Sequence, residues 1–288
     1  MSVDAFEIEA GEFAFTAHAA GPPDGRMVLL LHGFPQSSYE WRHQMAALAA
    51  AGYRAVAFDQ RGYSPKARPE GVESYRMEHL VGDVLAVADE LGAHRLDVVG
   101  HDWGGAVAWL VAAHYPQRVR TLTAVSTPHP AAFAAAVAGG DPDQLARSAY
   151  IEMLRKEGAA EEALLAGDGA GLQGVLVAAG YPEPEKTGEY VRLLSEPGAL
   201  TGALNWYRAV SVTEAAARSA GALKVEVPTL YVWGDADPAL GRMAAEGSAA
   251  FVEGPYHFEE MAGVGHWIPE EVPDDLNRLL LEHLAAHG

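Results

Sequence analysis

Four short runs set the first constraint on this chain: MVLLL (27–31), RAVAF (54–58), LDVVG (96–100) and RTLTAVS (120–126). Their nearly continuous apolar character is that of strands covered on both faces. The stretches between them, Trp41 to Ala51, Met77 to Leu91 and Gly104 to Tyr115, space their apolar residues with helical periodicity. Strand and helix in alternation predict βαβ units and a mainly parallel sheet flanked by helices. FEIEA and FAFTAHA, on either side of Gly11, read as an antiparallel pair that opens the chain.

The pattern changes after Ser126. From about Pro128 to Ala220 the sequence is rich in Ala, Gly and Pro, holds helical pieces such as YIEMLRKEG, and shows no clear strand. Strand character returns at VPTLYVWGD (227–235) and YHFEEM (256–261), and DDLNRLLLEHLAAH predicts a final helix. The economical division is an α/β core, residues 1–127 and 221–288, interrupted by a helical cap over 128–220. AGGDPDQ (138–144) reads as a flexible lead into the cap.

Composition narrows the partners. With 20 Lys and Arg against 39 Asp and Glu, the formal charge is -19, which repels nucleic acid and anionic membranes alike. The chain has no cysteine, so disulfides, thiol catalysis and thiolate metal sites are excluded. No signal peptide is visible in MSVDAFEIEAGEF, and the default expectation is a soluble cytoplasmic protein. No phosphate loop, metal-ligand cluster or dinucleotide fingerprint is present, so neither metal nor cofactor is expected.

GHDWG (100–104) lies between a predicted strand and a predicted helix. It has the form of a nucleophile elbow with Asp102 where a serine would stand. Glycines flank the residue because a sharp strand-to-helix turn leaves no room for side chains. The amides at the start of the helix favour an ionised carboxylate. The competing reading is an aspartate that merely caps the helix.

Two further pieces bear on that choice. VWGDADPAL supplies two aspartates just past a strand, and GVGHWIPEEVP places His266 before the last helix. Nucleophile, acid and histidine in that order match the α/β-hydrolase order. Asp237, clear of the strand end, is the expected acid, and Asp235 is its rival and the better turn-former. LLLHGFPQSSYEW (29–41) carries an HG-x-P loop. Such a loop presents a backbone N–H, here that of Phe34, to an oxyanion beside the N–H of Trp103. Gly33 allows a close approach of the chain, and His32 reads as a loop-holding residue.

HGFP, DQRGYS (59–64), GHDWGG (100–105), LNWYR (204–208) and GHW (265–267) together resemble the soluble epoxide hydrolases of the α/β-hydrolase fold. The resemblance runs from about Met27 to Pro273. It implies a mainly parallel eight-stranded sheet with an inserted helical cap. It also implies that Tyr207, from LNWYR, reaches from the cap to the epoxide oxygen. Tyr150 stands at the matching place for a second cap tyrosine, whereas the surroundings of Tyr181 and Tyr190 match less well. The implied substrate is a small apolar epoxide, with Trp206, Phe133, Trp109 and Leu204 as candidate walls. A haloalkane or haloacid dehalogenase would share the Asp102 nucleophile, and a non-catalytic ligand-binding relative would share the fold.

Overall fold

The computed structural model describes residues 3–210 and 224–288. Eight strands form one sheet: β1 (Asp4–Ala10), β2 (Phe13–Ala20), β3 (Met27–Leu31), β4 (Arg54–Phe58), β5 (Leu96–His101), β6 (Val119–Val125), β7 (Thr229–Gly234) and β8 (Tyr256–Met261). Their spatial order is β1-β2-β4-β3-β5-β6-β7-β8. β2 pairs antiparallel with β1 and with β4, and all other pairs are parallel. The predicted hairpin at Gly11 and all the predicted strands are therefore present.

The helices in chain order are α1 (Arg42–Ala50), α2 (Met77–Glu90), α3 (Trp103–His114), α4 (Pro130–Ala138), α5 (Pro142–Arg147), α6 (Ile151–Leu154), α7 (Ala159–Ala178), α8 (Thr187–Leu194), α9 (Ala199–Ala209), α10 (Arg242–Gly247), α11 (Ile268–Glu271) and α12 (Pro273–Ala286). Successive strand side chains point to opposite faces, and each face has its own cover. Val28, Leu30, Ala55 and Ala57 pack with Met45 and Leu48 of α1 and Leu276, Leu280 and Leu284 of α12. Leu29, Leu31, Val56 and Phe58 turn the other way, towards Val84 and Val87 of α2 and Val107 and Val111 of α3. Two-sided burial is why these strands read as unbroken apolar runs. Among the described residues no helix is long and apolar enough to cross a membrane.

Between β6 and β7 the described secondary structure is helical, α4 to α9. α4 stays with the core: His129 N–H donates to Ser248 Oγ (2.9 Å), and Gly247 of α10 faces Ala132. The expected boundary at 220/221 lies outside the described residues. α9 is seated on the loop after β4 by backbone contact, since a Cβ on Gly62 or on Gly202 would collide with the other's backbone. Beside that contact, the Trp206 indole N–H donates to the Arg61 carbonyl at 2.9 Å.

β3 lies between β4 and β5, so the direction of winding reverses there. In open α/β sheets a crevice forms beyond the strand ends at such a reversal. The loops leaving β3 and β5, HGFP and GHDWG, meet at this point.

Candidate active site

Asp102 is the single residue between β5 and α3, with φ 50° and ψ −121°. This conformation is unfavourable for a residue with a Cβ, and it persists only where the surroundings enforce it. Three glycines make the surroundings possible. A Cβ on Gly100 would overlap the backbone of Gly104, one on Gly104 would overlap the carbonyl of Leu31, and one on Gly33 would overlap Asp102 itself. The Asp102 side chain makes no capping bond to α3, so the helix-cap reading is set aside. Its Oδ1 instead accepts the backbone N–H of Phe34 at 2.8 Å. Trp103 begins α3, where an amide has no partner within the helix.

His266 stands on the other side of that carboxylate, its Nε2 3.6 Å from Asp102 Oδ2. Its Nδ1 lies 2.7 Å from Asp237 Oδ2. Asp237 is fully buried, and its Oδ1 accepts the N–H groups of Ala239 (2.7 Å) and Leu240 (3.0 Å). Asp235 does different work, accepting the Gly263 N–H at 2.6 Å to close a turn. Burial disfavours charge on His266, but the Asp237 and Asp102 carboxylates outweigh it and push its pKa up to about 10. Burial likewise opposes ionisation of Asp102, yet the bond to His266 holds its carboxyl below the usual range. The resting pair is thus a carboxylate beside an imidazolium.

Tyr207 of α9 is buried above this pair, its ring edge-on to Phe34 (centroids 5.4 Å apart) and to Trp103 (5.0 Å). Tyr150, just before α6, is 42% exposed as a whole residue, while its hydroxyl faces that of Tyr207. Burial and the Asp102 charge raise the pKa of both phenols, with Asp237 acting also on Tyr150 and Tyr150 on Tyr207. Both therefore keep their protons at neutral pH. The site joins Asp102, Asp237, His266, Tyr150 and Tyr207 in one place, with the N–H of Phe34 against the carboxylate.

The candidate apolar walls fall in different surroundings. Trp109 is wholly inside the core, donating to the Thr127 carbonyl (3.0 Å) and packed on His129 and Tyr231, because α3 faces the sheet there. Trp206 is pinned between Arg61, Tyr63 and Trp103 and serves to clamp α9. Phe133 is half-buried on α4, and Leu204 is buried in the core. Among the described residues no group of three or more His, Asp or Glu side chains is arranged to hold a metal ion.

Several supporting residues have no signal in a sequence motif. Gln144 of α5 grips the loop after Asp237, donating to the Ala239 carbonyl (2.9 Å) and accepting the Gly241 N–H (2.8 Å). Arg147 donates to the Asp237 carbonyl. Glu270, four residues after His266, accepts the hydroxyls of Tyr181 (2.6 Å) and Tyr190 (2.7 Å) and pairs with Arg42. These two tyrosines are latches between the helical insertion and the core.

Residues 26–273 match the α/β hydrolase fold family. The chain is 33% identical over 300 residues to epoxide hydrolase A of Mycobacterium tuberculosis, covering 93% of this chain and 92% of that protein. It is 36% identical over 270 residues to the AB hydrolase superfamily protein YfhM of Bacillus subtilis, covering 92% of each. The solved epoxide hydrolase of Bacillus megaterium in complex with an inhibitor superposes with a TM-score of 0.88 at 27% identity, over 97% of this chain and all, 100%, of that one. An epoxide hydrolase from hot-environment metagenomes gives 0.86 at 33% identity, with 100% of both chains covered. The chain belongs to the α/β-hydrolase-fold family and, within it, to the epoxide hydrolases.

Proposed function

We propose that this protein converts apolar epoxides to vicinal diols through an ester formed on Asp102. The observation that carries this reading is a pair of phenols, Tyr207 packed edge-on to Phe34 and Trp103 with Tyr150 beside it, over a partly buried Asp102 carboxylate that lies 3.6 Å from His266. An epoxide carbon is a strained alkyl electrophile, so it is displaced rather than added to. A carboxylate attacks it without first losing a proton. Asp102 Oδ1 is held by the Phe34 N–H, which leaves Oδ2 as the attacking atom. As the Oδ2–C bond forms, the ring C–O bond breaks and a cap phenol protonates the leaving oxygen.

Esterification removes the Asp102 charge, and the proton affinity of His266 falls with it. Its proton returns to the phenolate, and the neutral ring, oriented by Asp237, then takes one proton from water. The water oxygen adds to the ester carbon, and the negative charge develops on Oδ1. The N–H groups of Phe34 and Trp103 stabilise it, each worth about 3 kcal/mol in comparable sites. Collapse breaks the carbonyl carbon–Oδ2 bond. The diol takes the second water proton and leaves carrying Oδ2, while Asp102 keeps the oxygen from water.

A single turnover on styrene oxide in water enriched in heavy oxygen tests the route. Unlabelled diol and labelled Asp102 are expected, and labelled diol in that turnover sinks the ester mechanism. Dehalogenation uses the same nucleophile, but a halide leaves without a proton and gives two paired phenols nothing to donate.

A further inference from the structure

A second acid and a second histidine lie directly behind His266, and the reaction above uses neither. His101, the last residue of β5, and Glu40, in the turn before α1, are both fully buried. His101 Nε2 is 2.9 Å from the carbonyl oxygen of His266, and its Nδ1 is 3.2 Å from Glu40 Oε2. A carbonyl oxygen only accepts, so Nε2 carries the hydrogen. Burial, with the charge on His266 whose ring centroid is 4.9 Å away, holds the His101 pKa at about 4. The ring is therefore neutral and its Nδ1 is a bare lone pair. A bond from Glu40 to that lone pair requires a proton on Glu40. Burial and the nearby charges of Glu270 and Asp102 push the Glu40 carboxyl well above its ordinary range, in agreement with that requirement.

We infer that Glu40 works as an uncharged carboxylic acid whose proton fixes the tautomer of His101 and, through it, the place of His266. Glu40 is then a positioning residue for hydrolysis of the ester on Asp102. The chain of donors runs from Glu40 O–H to His101 Nδ1, and from His101 Nε2–H to the His266 carbonyl. Ser126 Oγ donates to the same carbonyl at 2.7 Å, so the backbone of His266 is held by two bonds while Asp237 holds its ring. An ionised Glu40 would face Asp102 and Glu270 across dry protein and compete with Asp102 for the imidazolium. The neutral form holds the histidine without altering the charge around it. The inference rests on the proposed ester route, because only its second half uses His266 as a base.

The test compares Glu40→Gln with Glu40→Leu. Glutamine is uncharged and its amide N–H donates to His101 Nδ1 as the acid does. Leucine leaves that lone pair without a donor. In rapid-quench single turnovers on styrene oxide, Glu40→Leu is expected to slow ester hydrolysis about tenfold and ester formation less than about threefold. Glu40→Gln is expected to stay within about threefold of the parent in both steps. A glutamine variant as slow as leucine, or both steps falling together, overturns the inference. A second readout is independent of turnover: a protonated carboxyl infrared band at neutral pH, present in the parent and lost in Glu40→Gln. Absence of that band means Glu40 is ionised and overturns the assignment. A parent that shows the band but forms no ester fails the proposed reaction, and with it the positioning role, while the protonation state of Glu40 stands.

Discussion

His266 Nε2 stands 3.6 Å from Asp102 Oδ2, opposite the 2.7 Å contact of its Nδ1 with Asp237. One imidazole thus serves two carboxylates, and its charge depends on both. Between two charged carboxylates the ring is an imidazolium; in the proposed route it becomes a base only once Asp102 is esterified.

Proton titration of the His266 ring by NMR should therefore give a pKa of about 10 in the parent and a lower one in Asp102→Asn. Because folding raises this pKa from 6.5, its stabilisation is complete below pH 6.5 and lost as pH climbs through about 10. The melting temperature of the parent should fall across that window more steeply than that of Asp102→Asn. Identical titrations in the two proteins would remove Asp102 as the second partner.

The phenols should act on one half-reaction. Tyr207→Phe and Tyr150→Phe are each expected to slow ester formation about a hundredfold, as loss of a general acid does. Tyr207→Phe keeps the ring packed on Phe34 and Trp103, so its melting temperature should barely move. Stopped-flow Trp fluorescence across single turnovers separates the steps. Unchanged ester formation in both variants would leave the tyrosines as packing residues.

The elbow should not tolerate a methyl group. Gly104→Ala sets a Cβ into the Leu31 carbonyl, and overpacking of this kind costs about 1–3 kcal/mol. Gly174→Ala, in α7 with nothing near the new methyl, should instead gain about 0.5 kcal/mol or more. Urea unfolding of both checks the contrast, and equal stabilities would show that the elbow has slack.

The Glu270 latch should be costly to remove. Glu270→Leu leaves Gln36 and two phenols without their acceptor and Arg42 with Glu183 as its remaining carboxylate, and breaking a buried pair from one side costs about 3–5 kcal/mol. Tyr190→Phe removes one neutral donor and should cost about 1 kcal/mol. A loss below that in Glu270→Leu, read by urea unfolding, would show the network to be replaceable by packing.

The strands were legible because both faces of the sheet are covered, so Leu29 and Leu30 are apolar for opposite reasons. Asp102 was legible because its glycines are dictated by backbone collisions, which a sequence records. Trp109 and Trp206 could not be sorted between wall and core, since an apolar side chain looks alike beside a cavity and inside a core. Glu40, Gln144 and Glu270 escaped notice because isolated polar residues in short helical runs are ordinarily exposed. Their burial arises from segments far apart in sequence, such as Gln144 against Gly241. The one usable hint was Glu40 itself, set between Tyr39 and Trp41.

The meeting of Gly62 with Gly202 has a consequence for how substrate range can change. With no side chain between them the two backbones meet directly, which seats α9, the helix that carries Tyr207, against the loop after β4. Tyr150 sits in a thinner setting, partly open to solvent between α6 and α5, and it is α5 that Gln144 and Arg147 tie to the acid loop. Of the two phenols proposed as proton donors, Tyr207 thus has the firmer seat. If the proposed roles hold, a change of substrate range is expected to come from substitutions in α5 and α6 rather than in α9.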